Sequence, residues 1–294
     1  MSPPYRVMGV VNVTPDSFSD GGAFLDAGAA VAHALGLVAQ GADILDVGGE
    51  STRPGAEPVL AEEELRRVLP VLDGIAAAGE VQAVQLSIDT SKADVARAAI
   101  AAGASIVNDV TALRGDPGMV ELVAESEVEC CLMHMLGEPR TMQRAGRAGG
   151  PRYKDVVDEV KAFLEQRLEF AVRAGVGEER VMLDPGIGFG KTVAHNLELL
   201  DRLDELTVLG RPLVVGTSRK SFLGRILADA AGEDEPVATE RRLPGTIATN
   251  VLALERGARV FRVHDVAPVR AALAVAAATL GGRWTARGTT TQTS

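Results

Sequence analysis

Aromatic residues are scarce in this chain. Only 3% of its 294 residues are Phe, Trp or Tyr, although 46% are apolar. Much of the apolar share is Ala and Val, so the core has to be built from small aliphatic side chains. Such a core suits parallel strands beneath helices better than a β-sandwich.

Cysteine and long apolar runs are scarce as well. The two cysteines, Cys130 and Cys131, are adjacent, which excludes a disulfide framework or a C-x-x-C metal site and predicts two small buried strand residues. Residues 1–6 lack the apolar core of a signal peptide, and no apolar run reaches the roughly 18 residues of a membrane span. We therefore expect a soluble protein in the reducing cytoplasm.

An excess of positive charge is also missing, because the formal net charge is -10. A nucleic-acid-binding protein needs a basic face to meet phosphate, so the charge argues against that class. An anionic small-molecule substrate would require a local cluster of cations within this negative field.

Short apolar runs alternate along the chain with longer amphipathic stretches. The predicted strands are 7–13, 44–48, 85–89, 106–110, 130–134, 181–184, 213–216 and 260–263. The predicted helices are 26–40, 61–78, 92–102, 118–127, 153–174, 196–206, 243–255 and 268–280. Four of these helices run into a glycine, the usual C-terminal stop, at Gly41, Gly103, Gly175 and Gly257.

Eight strand–helix units in series predict an α/β fold. We expect a closed parallel (β/α)8 barrel of the TIM type, forming a single domain over residues 1–283. An open doubly wound sheet is the structural alternative. The charged segment 229–242 is predicted to be a loop or insertion, and the polar tail 284–294 to be disordered.

Polar side chains follow almost every predicted strand. A single carboxylate there is often a helix N-cap or a turn residue, but a full series is less easily explained in that way. In a barrel of this type the C-terminal strand ends carry the chemistry. The series comprises Asn12, Asp46, Asp89, Asn108, His134, Asp184, Lys220, Arg262 and His264.

Two loops are rich in glycine and small polar residues, at 12–22 and 48–55. They could be ordinary turns, but their length favours mobile functional loops. Four cations lie in or beside strand-end loops, which favours a phosphate site over scattered surface charges. These cations are Arg53, Arg219, Lys220 and Arg262.

The glycine-rich segment 184–192, DPGIGFGKT, suggests nucleotide binding at first sight. A Walker A loop requires Gly where Pro185 stands, and the third glycine arrives one residue too early for G-x-G-x-x-G. We therefore reject a nucleotide-binding reading of this segment.

In order, these segments resemble the dihydropteroate synthases, from residue 6 to about residue 267. The matching blocks are MGVVNVTPDSFSDGG (8–22), DVGGESTRPG (46–55), SIDT (87–90), NDV (108–110), MHM (133–135), DPGIGF (184–189), GTSRKS (216–221) and RVHD (262–265). The resemblance implies a (β/α)8 barrel that joins a dihydropterin diphosphate to p-aminobenzoate, as a homodimer.

The same resemblance implies the site residues. The set for the pterin diphosphate is Thr52, Asp89, Asn108, Asp184, Lys220, Arg262 and His264. The set for p-aminobenzoate is Phe18, Pro54, Phe189 and Ser221, and the catalytic set is Asp20, Arg53 and Lys220. The family's Mg²⁺ is associated with Asn12 and the diphosphate.

Two alternatives from other classes share part of this pattern. A pterin-binding methyltransferase module acting with a corrinoid protein would have the barrel and the pterin-facing Asp and Asn. It would not need the two long loops, Arg53, or the Arg262-x-His264 pair. An inactive pterin-binding paralogue should have lost ligands, and here all are present.

Overall fold

The computed structural model describes residues 5–14, 27–52, 56–79, 83–137 and 150–281. Its strands are β1 (Arg6–Asn12), β2 (Ile44–Gly48), β3 (Gln85–Asp89), β4 (Ile106–Asp109), β5 (Glu129–Met133), β6 (Val181–Asp184), β7 (Val214–Val215) and β8 (Val260–Val263). Four of the eight match the predicted bounds to the residue, and the other four differ by one residue at one end or both.

The strands form one parallel sheet in the order β6-β5-β4-β3-β2-β1-β8-β7. A parallel bridge between Leu183 and Leu213 joins the two outer strands, and Leu183 N donates to Pro212 O at 3.0 Å. The sheet therefore closes on itself, which confirms the predicted (β/α)8 barrel and excludes the open doubly wound sheet.

Helices surround the barrel. They are α1 (Ala27–Ala39), α2 (Ala61–Ala77), α3 (Ala93–Ala101), α4 (Met119–Ser126), α5 (Val156–Arg173), α6 (Val193–Asp201), α7 (Ser221–Ala231), α8 (Leu243–Glu255) and α9 (Val266–Gly281). None of the described helices is long and apolar enough to cross a membrane. The four predicted glycine stops lie two residues beyond their helices with φ between 95° and 104°, the left-handed region that favours glycine.

Two local predictions were wrong. The segment 229–242 is not simply a loop, because α7 (Ser221–Ala231), which was not predicted, extends into it and a 3-10 helix occupies Thr239–Arg242. The predicted helix 196–206 is divided into α6 and a 3-10 helix at Leu203–Leu209. In both places the charged side chains lie on an exposed face, and the composition did not reveal the buried residues Phe222, Leu223 and Leu206 on the other.

The barrel interior is layered. Seven apolar side chains fill its middle, namely Met8, Ile44, Ile106, Cys131, Met182, Val214 and Val260. Below them, at the N-terminal strand ends, Arg6 Nη2 pairs with Glu129 Oε2 at 2.9 Å, and Gln85 Nε2 donates to Glu129 Oε1 at 2.7 Å. This polar layer and the apolar layer close the lower part of the barrel, so a ligand can enter only from the upper mouth. Both cysteines are buried and free, as predicted.

Candidate active site

Alternation along the strands brings distant polar residues into the barrel mouth. Successive strand residues point to opposite faces, so Asp46 points inward because Ile44 does, and Asn108 because Ile106 does. Asp184 follows Met182 in the same way, and Arg262 follows Val260. These four side chains form a polar layer directly above the apolar one. Their convergence at the upper mouth is what the strand-end series predicts.

Arg262 is the centre of this layer. Its Nε donates to Asp46 Oδ2 at 2.6 Å and its Nη2 to Asp89 Oδ2 at 2.7 Å. Burial lowers the pKa of the guanidinium, but the carboxylates of Asp46 and Asp89 more than offset this and raise it above its ordinary value. Arg262 is therefore a permanent cation held between two carboxylates.

Asp46 is a fully buried member of this layer. Besides Arg262, it accepts from Ser87 Oγ at 2.6 Å and from Asn108 Nδ2 at 3.1 Å. It therefore orients both the cation and the amide that face the mouth. Asp46 belonged to the strand-end series but not to the predicted ligands, since a lone strand-end carboxylate can equally be a cap. Its inward register was the signal that could have distinguished the two roles.

Asp89 lies at the rim of the same network. Burial raises the pKa of its carboxyl to about 7, Arg262 opposes that rise and Asp46 adds to it. Near neutral pH this group can therefore exist in either protonation state, which makes it the most adjustable acceptor of the site.

Asp184 and Lys220 form the opposite side. Asp184 Oδ1 accepts from Gly186 N at 2.6 Å, and burial raises the pKa of this carboxyl. The pKa of Lys220 is lowered to about 8, mainly because the lysine is buried. Asp184 opposes this shift and Arg262 adds to it. Lys220 Nζ donates to Ile187 O and lies 4.6 Å from the centroid of the Phe189 ring. The structure thus brings together three predicted residues, Asp184, Lys220 and Phe189.

A second buried lysine fixes the same loop from behind. Lys191 Nζ lies 2.9 Å from His134 Nδ1 and 3.1 Å from Phe189 O. Burial and the neighbouring lysine lower the pKa of His134 to about 2, so its imidazole is neutral and can accept from Lys191. His134 therefore holds the Phe189 loop rather than facing the mouth, and Lys191 was not singled out as a site residue by the sequence.

The remaining predicted ligands lie around the mouth. His264 Nδ1 lies 3.0 Å from Ser218 Oγ, and the backbone N of His264 donates to the same oxygen at 3.1 Å. Ser221 is exposed at the first turn of α7. Thr52 lines a cavity of about 330 Å³ together with Asp89. Phe18, Asp20, Arg53 and Pro54 lie outside the described residues.

One predicted cation has another role. Arg219 Nε and Nη2 pair with the two carboxylate oxygens of Asp265 at 2.9 and 2.6 Å. This bidentate pair neutralises the guanidinium and fixes the loop between β7 and α7, whose Arg219 has a left-handed φ of 59°. Of the clustered cations that the structure describes, Arg262 is hydrogen-bonded within the polar layer, and Lys220 interacts electrostatically with Asp184 of that layer.

The described residues of this mouth could bind a magnesium ion only if a bound phosphate supplied further ligands. Within the described residues there is no group of three or more His, Cys, Asp or Glu side chains that could hold a metal. Asn12 ends β1 opposite Gly48 and supplies a hard amide oxygen. Mg²⁺ often takes one or two protein ligands and completes its shell with waters and substrate phosphates, so Asn12 suits it.

Comparison with known proteins gives consistent matches. The family of pterin-binding enzymes matches residues 8–264. The dihydropteroate synthase of Escherichia coli (strain K12) is 46% identical over 278 residues, which are 95% of this chain and 93% of that protein. The structure of Xanthomonas albilineans dihydropteroate synthase with 4-aminobenzoic acid has a TM-score of 0.83 at 48% identity, covering 94% of this chain and 93% of that one. The structure of the Yersinia pestis enzyme with a sulfonamide drug has a TM-score of 0.85 at 42% identity, covering 94% of each chain.

Proposed function

We propose a residue-level mechanism for this chain, which belongs to the dihydropteroate synthase family of pterin-binding enzymes. It condenses 6-hydroxymethyl-7,8-dihydropterin diphosphate with p-aminobenzoate to give 7,8-dihydropteroate and diphosphate in folate biosynthesis. The family and reaction expected from the motifs are thereby confirmed. How individual residues serve the reaction is our proposal.

The arrangement of Asp184, Asn108 and Asp89 around the barrel interior supports this mechanism most directly. A dihydropterin has a 2-amino-4-oxo edge with adjacent N–H donors, and a carboxylate can accept two such donors at once. Asp184 takes that edge, because the bond from Gly186 N uses only part of its acceptor capacity. Asn108 and Asp89 bind other edges of the ring, and Lys220 donates on the ring oxygen side.

The reaction then needs no protein nucleophile. The bond between the pterin methylene carbon and the diphosphate oxygen breaks, and the pterin ring stabilises the resulting cation. The amine of p-aminobenzoate attacks that carbon, forms the C–N bond and loses a proton. Thr52, Arg262 and His264 hold the departing diphosphate, so the enzyme contributes charge neutralisation and close positioning of both substrates.

Arg262 suits the diphosphate because its charge is permanent and its fork is already oriented by Asp46. Asn12 would hold Mg²⁺, which would neutralise further charge on the diphosphate. Both cationic contributions answer the question raised by the net charge of -10, namely how an acidic chain can bind an anion.

The p-aminobenzoate subsite lies beside Lys220. Phe189 presents a ring face there and Ser221 a hydroxyl group. Lys191 fixes the Phe189 loop because its Nζ donates to the carbonyl oxygen of Phe189. Family likeness adds Phe18 and Pro54 to this subsite and gives Asp20 and Arg53 catalytic roles on the two loops that cover it. Sulfonamides resemble p-aminobenzoate in shape and charge and bind in the same place.

Two further properties belong to this proposal. We assign a cytoplasmic location and a homodimer. The dimer is supported by exposed apolar residues on the last two helices, where Leu252, Val275 and Leu280 are 50%, 70% and 55% exposed. These two helices pack against each other, so exposed apolar side chains on both can contribute to one association surface.

The direct test is a synthase assay. Purified protein is incubated with dihydropterin diphosphate, p-aminobenzoate and Mg²⁺, and dihydropteroate is detected by chromatography. Omission of Mg²⁺ with a chelator tests the metal separately. Arg262→Met and Asn12→Ala should each lose most of the turnover, and unchanged turnover in a folded variant would exclude the role given to that residue.

A further inference from the structure

Two different loops line the cavity beside the barrel mouth. Glu50, Ser51 and Thr52, which follow β2, form one wall. Asp89, the last residue of β3, forms the other wall together with Thr90 and Ser91. A ligand held by Thr52 and by Asp89 together therefore depends on the distance between these two walls.

Lys92 connects the walls. It follows Ser91 directly, and its Nζ lies 2.5 Å from Glu50 Oε2 and 2.6 Å from Glu64 Oε2. Its backbone N donates to Thr90 Oγ1 at 3.2 Å, which orients the lysine relative to the β3 loop. We call this three-residue contact the Lys92 bridge.

Glu50 also connects the Lys92 bridge to Val59, just before α2. Its second oxygen, Oε1, accepts from Val59 N at 3.0 Å, so one carboxylate joins both ends of the loop 50–59. Just before it, Gly49 O accepts from Arg67 Nη1 at 2.8 Å. Among the contacts of the described residues, the Lys92–Glu50 ion pair connects the neighbourhood of Thr52 to the other wall.

Glu64 fixes the position of Lys92 in the bridge. Its side chain on α2 is completely buried, and its Oε1 has no hydrogen-bond partner in the part of the chain that the structure describes. A buried carboxylate with one unsatisfied oxygen needs a nearby cation, so Glu64 holds Lys92 in place. Burial lowers the pKa of Lys92, but Glu50 and Glu64 outweigh this and raise it, which keeps the lysine charged.

We propose that Lys92 is a positioning residue, which through Glu50 holds Thr52 at the distance from Asp89 that a diphosphate-bearing pterin requires. This inference rests on the proposed function, because that function assigns Thr52 to the diphosphate and Asp89 to the ring. Lys92 itself touches neither substrate. Asp89 does not depend on the bridge, since Arg262 holds it separately at 2.7 Å.

The test compares two ligands with the same ring. Binding of dihydropterin diphosphate with Mg²⁺, and of 6-hydroxymethylpterin, which lacks the diphosphate, is measured by calorimetry on Glu50→Gln. The glutamine keeps a carbonyl oxygen for Val59 N, but it presents no charge to Lys92, which retains Glu64. The matched control is Glu62→Gln, the same change at an exposed position of α2.

We expect Glu50→Gln to weaken binding of the diphosphate ligand by roughly fivefold or more, the effect of losing one charge-assisted hydrogen bond. Binding of the ring alone should change by less than about twofold. Lys92→Arg, which keeps a cation with several donors, should be closer to the unaltered protein than Lys92→Met. The KM of dihydropterin diphosphate in the synthase assay should follow the same order.

Equal loss for both ligands would mean that the bridge only stabilises the fold, and no loss for either would mean that Thr52 is positioned without it. Either result overturns the inference. The proposed function is tested independently by the unaltered protein, which must form dihydropteroate in the same assay. Should Lys92→Met fail to fold, Glu50→Gln and Lys92→Arg still decide the question.

Discussion

Arg262 on β8 reaches Asp89 at the end of β3, with 2.7 Å between Nη2 and Oδ2, past the two intervening strands β2 and β1. In the proposed mechanism Arg262 holds the diphosphate and Asp89 binds the pterin ring. A change at either partner therefore alters the position and the electrostatic environment of the other, so the two halves of one substrate are bound by coupled groups.

The Asp89–Arg262 relationship predicts a pH effect. Because burial raises the pKa of Asp89 to about 7, the folded protein keeps a proton that the unfolded chain has lost above about pH 4. This favours the folded state at low pH, and the contribution is lost as the pH rises through about 7. The free energy of unfolding of the unaltered protein, minus that of Asp89→Asn, should therefore fall between about pH 4 and about pH 7 and be constant above that.

Urea unfolding at a series of pH values measures this difference. Asp73→Asn, at an exposed position on α2, is the matched control and should give a nearly constant difference. A constant difference for Asp89→Asn as well would show that this carboxyl titrates in its ordinary range.

Asp184→Asn should damage pterin binding and leave the fold intact. The amide replaces one acceptor with a donor that faces the donor edge of the ring. Loss of a charged hydrogen-bond partner costs roughly 1.5–3 kcal/mol, which is about tenfold or more in affinity. Calorimetric titration with a pterin, with circular dichroism to check the fold, measures it, and unchanged affinity in a folded variant would remove Asp184 from the site.

Gly186→Ala should destabilise the protein and also reduce pterin affinity. Gly186 has φ +67°, and an added Cβ would lie 1.8 Å from His134 O. The backbone must move, and with it the N–H that Asp184 accepts at 2.6 Å. A left-handed conformation alone costs about 1–2 kcal/mol, so the total loss of unfolding free energy should exceed that amount.

Gly210→Ala separates the two causes. Gly210 has a similar φ of +70°, but a Cβ there would meet nothing within 4 Å. It should show only the conformational cost and normal pterin binding. Equal stability losses in the two variants would mean that the Gly186 loop yields to the added methyl group without difficulty.

Binding of p-aminobenzoate should depend on the diphosphate. In this hypothesis the anion and Mg²⁺ at Asn12, Arg262 and His264 organise the loops 13–22 and 51–55, which then complete the amine subsite. Such coupling is reciprocal, so each ligand should tighten the other. Equilibrium binding of p-aminobenzoate or a sulfonamide, with and without pterin, diphosphate and Mg²⁺, measures the coupling, and equal affinity in the two conditions would show a preformed subsite.

The protein should be a homodimer through its last two helices. Light scattering at micromolar concentration should give twice the chain mass, and Val275→Lys should shift the protein towards monomer because it places a charge in an apolar contact. Val208→Lys is the control, since Val208 is 75% exposed but lies on the 3-10 helix before β7. A monomeric mass for the unaltered protein would refute the dimer.

The sequence alone determined the architecture and the location of the site. Short apolar runs, glycine stops and eight repeated units are local signals, and they specified the strands to within a residue at each end. They also predicted that Asn108, Asp184 and Arg262 would converge, because every parallel strand of a barrel ends at the same mouth. The helix α7 was missed, although Phe222, Leu223 and Ala228 are buried on it.

Only the tertiary structure decided which polar groups act on one another. Arg262 and Asp46 are 216 positions apart, and Lys191 and His134 are 57 apart. No local pattern carries such a pairing, because it depends on strand order and register across the closed sheet. Arg219 illustrates this limit, since its sequence context resembles that of Lys220, yet Asp265 neutralises it. Lys92 is the converse case. By sequence it is an ordinary residue at the start of a helix, but three-dimensional packing places it between Glu50 and the buried Glu64. A buried carboxylate needs such a partner charge.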